Sequence, residues 1–582
     1  MGKLTACPLD CYDGCSVVYE EGKLKGDPNH PFTRGYLCPN LNSFLATPTI
    51  LKPIFKGKEI SLDEALEILN DKLSKVTPDK TLYYKGNGNF ALMGNIVGDF
   101  FAKFGAVFTR GSLCDSAGEF GVKEAVGTSL HMSFDSIAKS ETIIVWGRNI
   151  ETTNSHMLPF LKDKNIIVID PIVTNIAKEA NLHIQIRPKD DMKLAILLAR
   201  FFVMQQMVDS DFIENRCENF DYFIDFINSY RVKFLMRDLG ISAKEINHFI
   251  DLVDGKKCAF LVGVGVQKYR HGHSVLHMIY SLFAMLGNFG KEGCGVSYLS
   301  NSSFGFELPF EKSSKSEPIV NVDFSKYDLC FIQGSNPANQ MPNTKSVVEH
   351  LKNSPFKVYF GLYENETSSL CDLVIPAKSF LAKEDIRLSY GHSYIHKMPR
   401  LRDEDGKISE YELSSYLHKR FDFKGLESEQ KIIEEIIGTN GEEDGQYLLN
   451  SSCKDEPYSK QFYTDEELFE FIDEIDLDED EDDNRLYLIT AKSKHSLNSQ
   501  FKRSSFVYLP RSLGFSDGDL VEVKSDFGSY NFVVKNDYRL RDDTILIYSG
   551  TKGVNYLTPS FLSDEGDGAC YQEARVSIVK LN

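Results

Sequence analysis

Four cysteines near the start of the chain limit what it can fold into more than any other feature. They are Cys7, Cys11, Cys15 and Cys38, in the spacing C-x3-C-x3-C-x22-C. The residues around them are turn formers: Pro8, Gly14, Gly22, Gly26, Pro28, Pro31, Gly35 and Pro39. With few large apolar residues, such a segment needs a staple rather than a core of its own. Four thiolates at one point bind either a cubane iron–sulfur cluster or a structural zinc. Three close ligands and one distant one suit the cubane, whereas zinc sites more often show two short-spaced pairs. Four merely buried apolar cysteines are set aside, because the local surroundings are polar.

The rest of the composition narrows the class. The chain has 582 residues, enough for about three to five domains of ordinary size. Its charge is 65 − 84 = −19, which argues against a general nucleic-acid binder. A local basic channel for an anionic ligand remains compatible with it. No apolar run approaches the ~20 residues that span a bilayer. The first residues, MGKLTACPLDC, lack a basic stretch followed by an apolar one. A cytoplasmic protein without membrane insertion is therefore expected, and in that compartment clustered cysteines read as ligands rather than disulfides.

Residues 61–75 predict an amphipathic helix opened by Ser61, with Glu64 in the capping-box position. Strands are expected at Thr142–Trp146, Ile166–Ile169, Ala259–Val264, Leu329–Ile332 and Val358–Phe360, and a buried helix at Val275–Leu286. Such alternation predicts an α/β fold with parallel sheets. A weak internal repeat pairs Val145-Trp146-Gly147-Arg148-Asn149 with Ile332-Gln333-Gly334-Ser335-Asn336. Each follows a strand, and each precedes another short strand and a segment ending in Pro. Two similar units would each offer a ligand crevice at the strand ends. Glycine that merely turns the chain after a strand is the plainer reading. A third glycine turn, Gly263-Val264-Gly265-Val266-Gln267, lacks the last glycine of a dinucleotide fingerprint because Lys268 stands there. Residues 473–483 are nearly all acidic and read as a solvated linker. Short β-rich runs follow over 485–582, including Leu486–Ile489, Leu520–Val523, Ile545–Tyr548 and Val576–Val579.

Cys217, Cys258, Cys294, Cys330, Cys371, Cys453 and Cys570 read as small buried hydrophobes. Cys114 differs. It lies in a turn-like stretch of small residues, with Arg110 nearby and a helix expected to start at Asp115 or Ser116. A thiol at a helix N-terminus beside an arginine is expected to have a lowered pKa.

Together, the four-cysteine segment, the α/β pair and the β-rich tail resemble the molybdopterin oxidoreductases, which carry a bis-molybdopterin guanine dinucleotide cofactor. Shorter stretches carry the resemblance as well. They are Ser61-Leu62-Asp63-Glu64-Ala65, Trp146-Gly147-Arg148-Asn149, Asp170-Pro171, Arg187-Pro188-Lys189-Asp190-Asp191, Gln333-Gly334-Ser335-Asn336-Pro337, the Leu513–Asp519 turn and Asn555-Tyr556-Leu557. The resemblance implies a [4Fe-4S] domain over 1–48, one α/β domain from 49–130 with 330–470, and a second over 131–329. An acidic linker over 471–484 and a double-psi-type β-barrel over 485–582 complete it. The two α/β domains would be related by a pseudo-twofold and hold the two nucleotides.

By the same resemblance, Cys7, Cys11, Cys15 and Cys38 hold the cluster and Cys114 is a thiolate ligand to Mo or W. Arg110, Asp115, Ser116 and His156 would flank the metal, an ordinary helix histidine being the plain alternative for His156. Cofactor contacts would fall at Trp146, Gly147 and Asn149; at Asp170, Pro171 and Thr174; and at Pro188 and Asp191. Further contacts would come from Gly263, Gly265 and Gln267; from Gly334, Asn336 and Pro337; and from His495 and Asn555 in the tail. The activity implied is two-electron chemistry at the metal coupled to one-electron transfer through the cluster. A small-molecule substrate and a redox partner such as a ferredoxin or another subunit go with it, and a sulfur-compound or small-oxyanion reductase is the expected subclass. A non-redox hydratase, a metal-free electron-relay or scaffold subunit, and a zinc-stapled binding protein are the alternatives. Two positions depart from the family pattern. Asn40 stands where a lysine is common, and Asp115 stands where formate dehydrogenases have histidine, which disfavours formate oxidation.

Overall fold

The computed structural model describes residues 2–86, 91–299, 302–304, 306–440, 442–444, 447–449, 453–475 and 483–581. The chain divides into two compact units. One comprises Met1–Gly111, Ser302–Ser451 and His495–Arg503; the other comprises Ser112–Asn301, Ser452–Lys494 and Ser504–Asn582.

The first unit opens with a three-stranded antiparallel sheet, Lys3–Ala6, Ser16–Glu20 and Lys23–Gly26. Its larger sheet has the strand order Ser316–Pro318, Val107–Arg110, Thr81–Lys85, Leu329–Gln333, Lys357–Gly361, Leu373–Pro376. These six are all parallel. Numbered along the chain they run 3-2-1-4-5-6, the order of a doubly wound nucleotide-binding sheet. An antiparallel hairpin, Ile54–Phe55 with Lys58–Glu59, extends one edge. The helix Leu62–Leu73 buries Ala65, Leu66, Leu69 and Leu73, and its start carries the full capping box between Ser61 and Glu64.

The second unit is built on a five-stranded parallel sheet, ordered Leu182–Ile184, Asn165–Ile169, Thr142–Trp146, Cys258–Val262, Gly295–Ser297. The chain order is again 3-2-1-4-5. The central residues of these strands are mostly apolar and buried, as a sheet covered on both faces requires. The helix Gly272–Met285 is buried along almost its whole length, so it shows no amphipathic stripe. The same unit contains a closed six-stranded barrel formed by Leu486–Ile489, Thr544–Leu546, Phe506–Leu509, Ser529–Asn536, Leu520–Lys524 and Arg575–Lys580. Its core is filled by Leu488, Val507, Val521, Val523, Phe532 and Val576, among others.

Several expectations shift. The strand expected over Ala259–Val264 ends at Val262, because the glycine turn continues into a short 3-10 stretch, Val264–Gln267. The strand expected to reach Tyr548 ends at Leu546. The repeat motifs occupy different places in the strand order. Trp146-Gly147 ends the first strand of its sheet, whereas Gln333-Gly334 ends the fourth of the other. Each therefore opens one βαβαβ half of a doubly wound sheet. Most of the expected acidic linker, residues 476–482, lies outside the described residues.

Candidate functional site

The cysteine segment folds as its turns require. Cys7 follows the first strand and Cys15 precedes the second, and the Cys7 N–H donates to the Cys15 carbonyl at 2.9 Å. This closes a loop that carries three of the four thiols. Cys38 occupies the N-cap position of the helix Pro39–Ala46. All four lie within electrostatic reach of one another, and burial pushes the Cys7 thiol up to about 11 and those of Cys11 and Cys15 higher still. A cluster of buried thiols that repel one another as thiolates is a donor set suited to a soft cation or an iron–sulfur cube.

The surroundings are not polar, contrary to the local sequence. Cys7 and Cys15 pack with Leu9, Leu41 and Phe44, and with Phe380, Leu381 and Met398 from far along the chain. Beside the loop, His30, His392 and His396 are all buried, with ligand atoms within 4.8 Å of one another. His392 uses both nitrogens on backbone. Nδ1 accepts from the Tyr394 N–H at 3.1 Å, so Nε2 carries the proton and donates to the Asp13 carbonyl at 3.0 Å. His392 is thus held to the backbone through both ring nitrogens, and the trio packs as a buried imidazole group.

Cys114 belongs to the second unit. Asp115 occupies the N-cap position of the helix Ser116–Val126. The loop is tied by Ser112, whose hydroxyl donates to Asp115 Oδ1 at 2.6 Å and accepts from the Cys114, Asp115 and Ser116 N–H groups. Gln267 clamps it from the third glycine turn, donating to the Cys114 carbonyl at 2.7 Å and accepting from the Gly118 N–H at 3.0 Å. The thiol pKa is raised, not lowered as expected. Burial and Asp115 push it up, and the nearby positive charges are lysines, Lys268 and Lys492. Arg110 instead ends the strand Val107–Arg110 and donates to the Ser316 carbonyl at 2.8 Å. His156 is buried on the short 3-10 helix Ser155–Leu161.

Lys268 was read from sequence only as the residue that spoils a fingerprint. It is buried, donates to the Leu113 carbonyl at 2.6 Å, and lies over the Tyr571 ring. Burial lowers its pKa to about 8, with Cys114 opposing. The signal that could have found it is positional: it follows a glycine turn at the carboxyl end of a parallel strand, where ligands bind.

The strand ends of the second unit's sheet gather most of the expected cofactor residues. The switch in strand order lies between Thr142–Trp146 and Cys258–Val262. There the Gly263 N–H donates to the Trp146 carbonyl at 2.8 Å, and a Cβ on Gly263 would stand 2.0 Å from the Gly147 oxygen. No side chain fits at that position. Trp146 itself points into the core and donates its indole N–H to Asp191 at 2.7 Å, supporting the crevice from below. Burial pushes Asp191 and Asp170 each up to about 7. Asp170 also accepts from the Ile172 N–H, and Thr174 caps the helix Asn175–Glu179. Asn149 occupies the N-cap position of the helix Ile150–Thr153, and Gly265 lies in the 3-10 turn. Pro188 is buried within a loop closed by the paired Arg187 and Asp190. Asn555 is buried and accepts from the Thr558 hydroxyl.

In the first unit the switch lies between Thr81–Lys85 and Leu329–Gln333. The Gly86 N–H donates to the Gln333 carbonyl, and a Cβ on Gly86 would stand 2.7 Å from the Gly334 oxygen. Asn336 spends its whole amide on protein partners. Its oxygen accepts from Thr367 N–H and Oγ1, and its nitrogen donates to Glu366 and Ser499. Pro337 opens the next helix, Pro337–Gln340, and His495 is exposed. Among the described residues, no helix is long and apolar enough to cross a membrane.

With the sites built, known proteins can be compared. The molybdopterin oxidoreductase family model matches residues 50–403, and the molybdopterin dinucleotide-binding domain model matches residues 486–575. A probable oxidoreductase, YyaE, of Bacillus subtilis (strain 168) is 28% identical over 463 residues, 72% of this chain and 69% of that protein. The F420-dependent formate dehydrogenase subunit alpha of Methanocaldococcus jannaschii is 26% identical over 441 residues, 65% of this chain and 64% of that one. The matched segments thus span about two thirds of each relative's length. Acetylene hydratase from Pelobacter acetylenicus has a similar fold, with a TM-score of 0.83 at 16% identity, covering 99% of this chain and 100% of that one.

Proposed function

Since the chain belongs to the molybdopterin oxidoreductase family, we propose that it is a molybdenum or tungsten iron–sulfur enzyme that reduces a small anionic substrate, an oxyanion or an oxidised sulfur compound. Cys7, Cys11, Cys15 and Cys38 hold a [4Fe-4S] cluster, and Cys114 is the protein ligand to the pterin-bound metal. When bound, that cofactor would supply two-electron reduction of the substrate, with electrons delivered one at a time from a partner protein through the cluster.

The residues of the chain do the rest. Ser112 and Gln267 fix the backbone of Cys114 through its N–H and its carbonyl. The glycine-lined switch points let backbone approach the two nucleotides closely. Lys268 and Lys492 put positive charge beside Cys114 in a chain of net charge −19. This observation carries the substrate class, because a local cationic site in an acidic protein selects anions.

X-ray absorption at the Mo or W edge tests the ligand. Cys114→Ser is expected to remove one metal–sulfur distance and keep the cofactor; an unchanged sulfur shell would sink the assignment. Lys268→Met is expected to raise KM for an anionic substrate by tenfold or more. Turnover of substrate without any electron donor or acceptor would instead support the hydratase alternative.

A further inference from the structure

The loop carrying the cluster cysteines is held by a hairpin distant in sequence. Asp385–Arg387 and Tyr394–Met398 pair antiparallel, and the hairpin meets the loop in step. Arg387 donates to Asp10 Oδ1 at 2.6 Å, and Ser389 donates to the Tyr12 carbonyl at 2.9 Å. The Gly391 N–H reaches the same carbonyl at 3.0 Å, and His392 donates to the Asp13 carbonyl at 3.0 Å. Residues 387 to 392 thus bind residues 10 to 13 in the same order. A scaffold alone could do this with neutral groups. Here the first rung is an ion pair whose Arg387 side chain is buried while Asp10 is exposed. Asp10 lies between Cys7 and Cys11 in sequence, so the pair sits against the thiol cage, and the Arg387 charge acts on Cys7 directly.

We propose that the Arg387–Asp10 pair sets the reduction potential of the iron–sulfur cluster, with Arg387 stabilising the reduced form and Asp10 opposing it. The inference rests on the [4Fe-4S] reading above. The couple adds one electron to the cluster, supplied in the test by dithionite through redox mediators. The added negative charge is favoured by a fixed cation and disfavoured by a fixed anion at short range. The guanidinium group carries a fixed charge in proteins. The packed Leu9, Phe44 and Phe380 side chains lower the local dielectric around the cysteines and Arg387 is buried, whereas Asp10 is exposed and its charge is more strongly screened.

The experiment is a potentiometric titration followed by electron paramagnetic resonance on the anaerobically purified full chain. Arg387→Met should lower the midpoint potential by at least about tenfold in the reduction equilibrium, which is about 59 mV for one electron. Asp10→Asn should raise it, and Arg387→Lys, which keeps the charge, should return it close to the parent value. Iron content should equal that of the parent in all three. Should Arg387→Met fail to fold, the opposite shift of Asp10→Asn and the restoration by Arg387→Lys still decide the matter. Full iron with unmoved potentials, or shifts of the same sign for Arg387→Met and Asp10→Asn, would overturn the inference alone. A parent protein with no cluster signal would overturn the inference and the cluster reading together.

Discussion

The two parallel sheets share a frame and differ in charge. Each has its switch in strand order between its first and fourth strands, and at each a glycine backbone presses on the glycine of the neighbouring turn. In the second unit the carboxyls beside the switch, Asp170 and Asp191, are buried and pushed up to about 7. In the first unit, Glu366 would be raised by burial, but Asn336 and Arg503 hold it below its usual value. Backbone sets where a nucleotide crevice can form, and side chains set its electrostatics. The same topology therefore provides one crevice with protonatable acids and another with a fixed ion pair.

The largest expected effect separates the two switches by steric room. Gly263→Ala places a methyl 2.0 Å from a backbone oxygen, and Gly86→Ala places one at 2.7 Å. Denaturant unfolding should show a loss of about 3 kcal/mol or more for the first and about 1–2 kcal/mol for the second. Equal losses would mean the two frames are equally tight.

The second effect concerns pH. Asp170 and Asp191 retain protons in the folded chain, up to a pH of about 7, that the unfolded chain sheds near 4. Their contribution to stability is complete below the ordinary carboxyl range, falls as pH rises through 7, and is flat above. Asp191→Asn should flatten the fall between pH 5 and pH 8 by roughly 2–3 kcal/mol, measured as midpoint against pH. A slope unchanged by the substitution would remove the contrast between the sheets.

Glu366 should behave in the opposite sense. Its lowered pKa gives stability that is present above the ordinary carboxyl range and lost as pH falls through the folded value. Glu366→Gln should cost about 2 kcal/mol at pH 7 through the lost charge-assisted bonds to Arg503 and Asn336, and progressively less as pH falls below the ordinary carboxyl range. Smallest is Ser61→Ala, remote from both switches, which opens the capping box of Leu62–Leu73. About 1 kcal/mol is expected.

How much of this was legible in the sequence depended on range. The capping box at Ser61, the apolar strands Thr142–Trp146 and Lys357–Gly361 and the cap at Asp115 are local patterns, and each was readable within a few residues. Cys258, Cys294, Cys330 and Cys570 are buried, as their apolar contexts indicated. The Cys114 expectation fails because Arg110 is close only in sequence: the positive charges on the thiol come from Lys268 and Lys492, and burial and Asp115 outweigh them. The cysteine loop looked coreless for the same reason: Phe380, Leu381 and Met398 arrive only when the chain folds back. The repeat was seen as two copies of one motif, but only the pairing of strands shows that the copies belong to different halves of their sheets. Trp146 and Asn336, expected at the cofactor, spend their polar groups on Asp191, Glu366, Thr367 and Ser499, which no local pattern reveals.

The central claim is that one chain holds the cluster, the metal and two nucleotides. Elemental analysis of anaerobically purified protein, with quantitation of guanine nucleotide released on denaturation, tests it most directly. About four Fe, one Mo or W and two guanine nucleotides per chain are expected. Zinc in place of iron, or iron without pterin metal from a host that makes the cofactor, would contradict it.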